Sequence, residues 1–154
     1  MKISFLDLKK QNKKIQKRIN KSIENNINSS SFIKGKDLVT FEEKFSNYLN
    51  IKYCLGVANG TDALEISLKS LELKKNSEII VPANTWISTA EAVVNNGFKL
   101  RFVDIDETHN ICVKDLEKKI NIKTSAIIVV HLFGNPANIY KIKKICKKRK
   151  LKII

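Results

Sequence analysis

The first third of the chain carries two apolar stripes at helical spacing. The first lies in a polar segment from Lys9 to about Ile27 and consists of Ile15, Ile19, Ile23 and Ile27. After a break near residues 28–35, the second consists of Leu38, Phe41, Phe45 and Leu49. Each stripe predicts a helix with one apolar face. We therefore expect an N-terminal helical segment over residues 1–50, followed by a different domain over residues 51–154.

Beyond residue 50, short β-branched runs alternate with helical stretches. The predicted strands are Tyr53–Val57, Glu78–Val81, Lys99–Val103, Ser125–His131 and a run that begins at Leu151. The predicted helices are Asp62–Leu73, Ser88–Asn95, Lys114–Ile120 and Asn138–Lys148. This alternation requires crossover connections and predicts a largely parallel sheet flanked by helices. Because the run Ala126–Val130 has no polar alternation, we expect a central strand that is covered on both faces.

Composition narrows the class of protein. With 154 residues, 43% of them hydrophobic, and only two prolines and five glycines, the chain is neither disordered nor collagen-like. No apolar stretch is long enough to span a membrane, and no secretory signal is visible. The three cysteines, Cys54, Cys112 and Cys146, form no Cys-x-x-Cys pair. That pattern favours a reduced, cytoplasmic protein without a zinc site.

The net charge of +14 raises the question of anionic partners. All but three of the 29 basic residues are lysines, and they are spread through every segment, with a local cluster over Lys141–Lys152. Nucleic-acid recognition usually adds arginine and stacking aromatic residues, and neither accompanies that cluster. We therefore attribute the charge mostly to a lysine-rich composition and expect neither a nucleic-acid partner nor a membrane partner.

The segment Gly56–Leu64 reads as a strand end, a small-residue turn and the start of a helix. The unpaired amides and the dipole of a helix N-terminus favour an anion, and the Thr61 hydroxyl adds a donor. The glycine spacing fits neither a Walker loop nor a dinucleotide-binding fingerprint. The same residues also fit a simple capping box, with Asp62 and Glu65 three apart. Phosphate binding and capping both remain open at this point.

A second strand-to-helix turn carries Trp86, the only tryptophan, with Ser88 and Glu91 spaced for capping. Ligands of open α/β sheets bind at such strand ends, so the indole either stacks on a planar ring or packs under the loop. His131 closes the Ser125–His131 run and is expected at the same edge. The pair Asp104 and Asp106 reads as a turn rather than as a metal site.

The last residues, Leu151–Ile154, follow a complete helical stretch and read as the opening of a buried strand. A natural domain rarely ends inside a core strand, since its neighbour in the sheet would be missing. We therefore expect the second domain to be incomplete in this chain, which would be truncated within that strand.

Six motifs follow one another along the chain. They are Phe5–Leu8, Phe32–Gly35 with Phe41–Glu42, Gly56–Leu64, Val81–Trp86, Phe102–Asp106 and His131–Ala137. In this order they resemble the DegT/DnrJ/EryC1/StrS family of sugar aminotransferases, over the whole chain. The resemblance implies pyridoxal 5'-phosphate as the cofactor. It also implies an α/β fold, in which this chain is part of the large domain of an aspartate-aminotransferase-like (fold type I) three-layer α/β/α sandwich.

Carried over by position, Thr61 and the backbone of Asp62 hold the cofactor phosphate, and Gly60 allows its close approach. Trp86 matches the aromatic residue that stacks on the pyridine ring, and His131 matches a histidine near the cofactor whose role stays open. No catalytic residue is carried over. The resemblance puts the Schiff-base lysine and the aspartate partner of the pyridine nitrogen beyond position 154, so we expect this chain alone to be inactive.

The implied function of the whole protein is amino-group transfer, with glutamate as the expected donor, to a keto-sugar carried on a nucleoside diphosphate. The resemblance also implies a homodimer and a role in surface-polysaccharide or other amino-sugar biosynthesis. A dehydratase of the same family, in which histidine replaces the lysine, is one alternative. A non-catalytic regulatory module is another.

Overall fold

A computed structural model describes residues 5–154, so the first four residues of the predicted N-terminal segment lie outside the described part. The chain divides into two compact units, here called the N-terminal unit, up to Gly56, and the sheet unit, Val57–Ile154. No helix in the described residues is both long enough and apolar enough to cross a membrane.

The N-terminal unit contains the two predicted helices, α1 (Leu8–Asn28) and α2 (Lys36–Leu49). Asp7 caps α1, because its Oδ1 accepts a hydrogen bond from the Lys10 amide at 3.0 Å. Asp37 joins the two helices by accepting from Asn26 Nδ2 at 2.8 Å and from the Ser22 hydroxyl. These two hydrogen bonds hold the pKa of the Asp37 carboxyl below its usual range. Neither helix buries a side chain completely.

The predicted strand Tyr53–Val57 is wrong, because residues 51–59 form no strand. A strand exists through the hydrogen-bond ladder to a neighbour, and this segment pairs with no strand of the described sheet. The Gly56 amide instead donates to Glu42 Oε1 at 2.7 Å. The β-branched pattern indicated a strand here, but the pattern alone supplies no neighbour to pair with.

The sheet unit contains four parallel strands in the order β2-β1-β3-β4. The strands are β1 (Glu78–Pro82), β2 (Lys99–Val103), β3 (Thr124–Ile127) and β4 (Lys152–Ile153). The helices are α3 (Gly60–Ser70), α4 (Ser88–Asn95), α5 (Val113–Lys119) and α6 (Ile139–Arg149). The parallel sheet and these eight elements confirm the alternation read from the sequence.

The third strand is shorter than predicted. It ends at Ile127 rather than at His131, although the Ile128 amide still bonds the Ile80 carbonyl at 2.9 Å. The chain then leaves the sheet for a 3₁₀ turn at Leu132–Gly134, in which Phe133 adopts a φ of 56°. The apolar run that begins at Ala126 therefore predicted which residues are buried better than it predicted where the strand ends.

Two apolar cores on opposite faces of the sheet make the unit three-layered. On one face, Ile79 and Val81 pack with residues of α3 and α4, such as Leu68 and Val93. On the other face, Ile80 packs with residues of α5 and α6. The side chains of successive β1 residues thus pack alternately into the two cores, as the pleat of a strand requires. This α/β/α arrangement confirms the predicted fold class.

Candidate functional site

Helix α3 begins in the small-residue turn that the sequence singled out. Asn59 is the N-cap: its Oδ1 accepts from the Asp62 amide at 2.9 Å, and its Nδ2 donates to Asp62 Oδ2 at 3.2 Å. The capping pair is therefore Asn59 with Asp62, and the predicted pair of Asp62 with Glu65 is wrong by one turn. Glu65 instead accepts from Asn95 Nδ2 on α4 at 2.6 Å.

The cap decides which amides of α3 are available to a ligand. The Asp62 amide already has an acceptor, whereas those of Gly60 and Thr61 have none among the described residues. A Cβ built on Gly60 meets no protein atom within 4 Å, so the space in front of this helix end is open. The geometry offers two adjacent N–H donors at the positive end of a helix dipole, which suits an anion.

Trp86 lies in the loop between β1 and α4, and its side chain is 76% exposed. It is therefore not packed under the loop. The loop backbone is held, because the Thr89 amide donates to the Trp86 carbonyl at 3.0 Å and the Thr85 and Thr89 hydroxyls bond at 3.0 Å. The predicted cap at Ser88 is wrong, since the N-cap is Ile87 and makes no side-chain cap bond.

The turn before α3 and the loop before α4 lie side by side. The Thr61 hydroxyl donates to Ser88 Oγ at 2.8 Å, and Ser88 is two residues from Trp86. Ser88 is the first residue inside α4, so its side chain is not at the N-cap position. The Glu65–Asn95 bond, together with a bond from Asn96 Nδ2 to the Glu65 carbonyl at 3.2 Å, fixes α3 against α4. One direct hydrogen bond thus joins the predicted phosphate turn to Ser88, the first residue after the Trp86 loop.

His131 lies after β3, at the same edge of the sheet. Its side chain is exposed, and its Nδ1 accepts from the Ala137 amide at 3.0 Å. In a neutral imidazole this bond places the proton on Nε2, so the other nitrogen is a donor. Among the described residues no hydrogen bond connects His131 to Thr61 or to Trp86. Its role toward a cofactor stays a prediction.

Asn110 shapes this edge, and sequence reasoning missed it. Its side chain is 2% exposed, donates to the Asn135 carbonyl at 3.1 Å and accepts from the Leu132 amide at 3.3 Å. It therefore ties the 105–112 segment to the turn that follows His131. A buried asparagine between two loops has no local sequence signal, because its partners are 22 and 25 residues away.

The acidic pair after β2 serves its own turn. Asp104 Oδ1 accepts from the Ile105 amide at 2.8 Å, and Asp106 accepts from the Thr108 amide at 2.9 Å. The Thr108 hydroxyl and amide hold the pKa of Asp106 below its usual range, although burial opposes this. Both carboxylates thus accept hydrogen bonds from amides of their own turn.

Comparisons with known proteins identify the family and agree with the fold. The model of the DegT/DnrJ/EryC1/StrS aminotransferase family matches residues 13–154. Over 153 residues the chain is 40% identical to the dTDP-3-amino-3,6-dideoxy-alpha-D-galactopyranose transaminase of Aneurinibacillus thermoaerophilus. That match covers 99% of this chain and 42% of the relative.

Solved structures match as well. DesV of S. venezuelae, in complex with a ketimine intermediate, superposes with a TM-score of 0.93 at 30% identity, covering 98% of this chain and 41% of that one. The GDP-4-keto-6-deoxy-D-mannose-3-dehydratase of E coli, with bound hydrated PLP, gives 0.81 at 33% identity, covering 87% and 36%. The chain thus spans about two fifths of the length of the relatives it matches. On the family match and on the three-layer parallel sheet, the chain belongs to the DegT/DnrJ/EryC1/StrS aminotransferase family.

Proposed function

We propose that the whole protein is a pyridoxal 5'-phosphate-dependent aminotransferase that moves an amino group from glutamate to a nucleotide-linked keto-sugar. The observation that carries the proposal is a pair of amides at the start of α3 without partners among the described residues, next to a Thr61 side chain that bonds Ser88, two residues after an exposed tryptophan. A phosphate on a flat aromatic ring is the ligand chemistry that such a pair fits.

The residues present fit this cofactor. We propose that the Gly60 and Thr61 amides bind the phosphate together with the Thr61 hydroxyl, whose proton would turn from Ser88 Oγ to the phosphate while Ser88 donates to Thr61 Oγ1. Asp62 would hold the turn through Asn59. Trp86 would cover one face of the ring and exclude water from it, and His131 would offer its Nε2 proton to an acceptor nearby. When bound, pyridoxal phosphate supplies the electron sink that amino transfer needs.

Three further features belong to this proposal. The Schiff-base lysine lies outside residues 1–154, so this chain alone would transfer no amino group. The active protein would be a homodimer that works in surface-polysaccharide or other amino-sugar biosynthesis. A reducing, cytoplasmic setting is supported by the thiols of Cys54, Cys112 and Cys146, all of which are free.

A dehydratase of the same family is the second candidate, favoured by the likeness to the E coli dehydratase. One experiment distinguishes the two candidates. The whole protein is incubated with pyridoxal phosphate, glutamate and a panel of dTDP-, UDP- and GDP-linked keto-sugars, and the masses of the products are measured by mass spectrometry. A gained amine supports the aminotransferase, whereas a sugar that has lost an oxygen would establish the dehydratase. If neither product forms and no cofactor binds, a regulatory module is the correct interpretation.

The assignment of the phosphate turn is tested separately. Thr61→Val removes the hydroxyl at nearly constant shape, and we expect about a tenfold loss of cofactor affinity. Thr40→Val on α2 is the matched control, because the Thr40 side chain makes no hydrogen bond among the described residues. Equal affinities in the two variants would show that Thr61 does not contact the phosphate.

A further inference from the structure

The amino ends of the strands form the opposite edge of the sheet from Thr61 and Trp86, and lysines gather there. The Lys99 amide donates to the Ser77 carbonyl at 2.9 Å, and the Glu78 amide donates to the Lys123 carbonyl at 2.9 Å. Because β1 lies between β2 and β3, the backbones of Lys99 and Lys123 lie on either side of the Ser77–Glu78 segment.

A cleft of about 460 Å³ opens at this edge. Its polar lining includes Lys74, Lys75, Ser77, Lys99, Lys123 and Ser125, and no carboxylate lines it. A neighbouring cleft of about 540 Å³ shares Lys99 and Lys123 and adds three more cations together with the Glu78 carboxylate. Both volumes lie within the range that is typical of small-molecule binding sites.

Most of this positive charge is not neutralised by the protein. Arg101 pairs with Glu78 at 2.7 Å and Lys119 pairs with Asp115 at 2.8 Å. Within residues 5–154 no ion pair engages the remaining cations of the two clefts. They are Lys74, Lys75, Lys99, Lys118 and Lys123. Like charges at one edge repel one another, and a bound anion would relieve that repulsion.

Ser77 adds a hydroxyl group to these ammonium groups. Its side chain is 5% exposed and lines the first cleft, and its Oγ accepts from the Ser125 hydroxyl at 2.9 Å. Because the Ser125 hydroxyl also lies 3.4 Å from the Lys123 carbonyl, the Ser77 hydroxyl can donate its proton to Ser125 Oγ, or to a ligand oxygen while Ser125 donates to Ser77. Ser77 therefore offers a hydroxyl beside the lysines that can donate to a ligand oxygen in the cleft.

We propose that this cleft binds a small molecule that carries several phosphate groups, either a condensed inorganic phosphate or the polyphosphate chain of a nucleotide. Lysine ammonium groups bind phosphate as point charges, and Ser77 would orient one oxygen. No aromatic side chain lines either cleft, so a stacked base contributes nothing and a nucleic-acid strand is disfavoured. The proposal does not depend on the function proposed above.

The test uses the whole protein saturated with pyridoxal phosphate and titrates it calorimetrically with inorganic triphosphate at physiological salt. We expect saturable one-to-one binding that falls about tenfold or more in Lys99→Gln/Lys123→Gln. The matched control is Lys17→Gln/Lys21→Gln in α1, which removes the same charge from exposed helix positions and should leave the affinity unchanged. An equal loss in both variants, or no saturable binding at all, would overturn the site.

Two further arms define the ligand. Ser77→Ala should weaken triphosphate binding severalfold, whereas Thr61→Val should not change it, which separates this cleft from the cofactor turn. ATP that binds like triphosphate supports recognition of the polyphosphate chain, and ATP that binds far more tightly identifies a nucleotide as the source. A single-stranded oligonucleotide that competes while triphosphate does not bind would refute the small-molecule proposal.

Discussion

Substitution of Glu78 tests the most strongly connected buried charge in the sheet unit. Its side chain is 8% exposed, at the start of β1. One oxygen, Oε1, receives Arg101 Nε at 2.7 Å, Asn121 Nδ2 at 2.7 Å and the Thr124 hydroxyl at 3.1 Å. These contacts join the first residue of β1 to β2, to β3 and to the turn before β3.

Glu78→Gln removes the charge and leaves a carbonyl oxygen that can still accept all three bonds. A buried pair that loses one partner costs about 3–5 kcal/mol, and an exposed pair costs about 0–1 kcal/mol. The Arg101 side chain is 42% exposed, so solvent screens its charge and the cost lies between these limits. We expect the free energy of unfolding to fall by about 1–2 kcal/mol in Glu78→Gln, and by about 3 kcal/mol in Glu78→Ala, which also orphans the donors.

The cost should depend on pH in a defined direction. Burial alone would raise the pKa of the Glu78 carboxyl, but the bonds from Arg101, Asn121 and Thr124 outweigh burial and lower it. A lowered folded pKa means that the stabilisation is complete above the unfolded value of about 4.3. It disappears as the pH falls through the folded value. The difference between wild type and Glu78→Gln should therefore be full at neutral pH and vanish in acid.

Native-state amide exchange in the peptides that contain β1 and β3 measures the loss of local stability. The measurement works in an oligomer as well as in a monomer. Glu117→Gln is the control, because that exposed carboxylate on α5 has no ion pair in the described part of the chain. We expect faster exchange in Glu78→Gln at neutral pH and no change in the control. A difference that persists undiminished to the lowest pH would show that shape, and not charge, links these strands.

Three other predictions concern single sites. Gly60→Ala should leave the fold intact, because the added Cβ meets no protein atom, but it should lower cofactor affinity at least about tenfold by blocking the phosphate; quenching of Trp86 fluorescence measures the affinity. Asn110→Ala should cost about 1–3 kcal/mol locally and speed amide exchange in residues 131–137; unchanged exchange would refute its tying role. Burial raises the pKa of the Cys146 thiol to about 11, so mass spectrometry after alkylation at pH 8 should find Cys112 labelled before Cys146.

The sequence predicted those features that depend on short-range pattern. The helix over Ser88–Asn95 and the strand over Lys99–Val103 have the predicted bounds, because periodicity and flanking polar residues determine them. Features that need a distant partner were missed. Tyr53–Val57 lacks a neighbour to pair with, and Ser88 bonds Thr61 across 27 residues instead of capping its own helix.

The two edges of the sheet offer anions different kinds of attraction, and this difference makes the two proposed sites separable. The segments around Thr61, Trp86 and His131 contain no lysine or arginine between residues 53–68, 83–98 and 124–140. In this chain a phosphate there meets backbone amides and a helix dipole at short range, which salt screens weakly once the ligand excludes water. At the amino edge the attraction comes from exposed ammonium groups, which salt screens strongly. A rise in salt should therefore weaken triphosphate binding at the lysine cleft far more than it weakens the contribution of Thr61 at the cofactor turn.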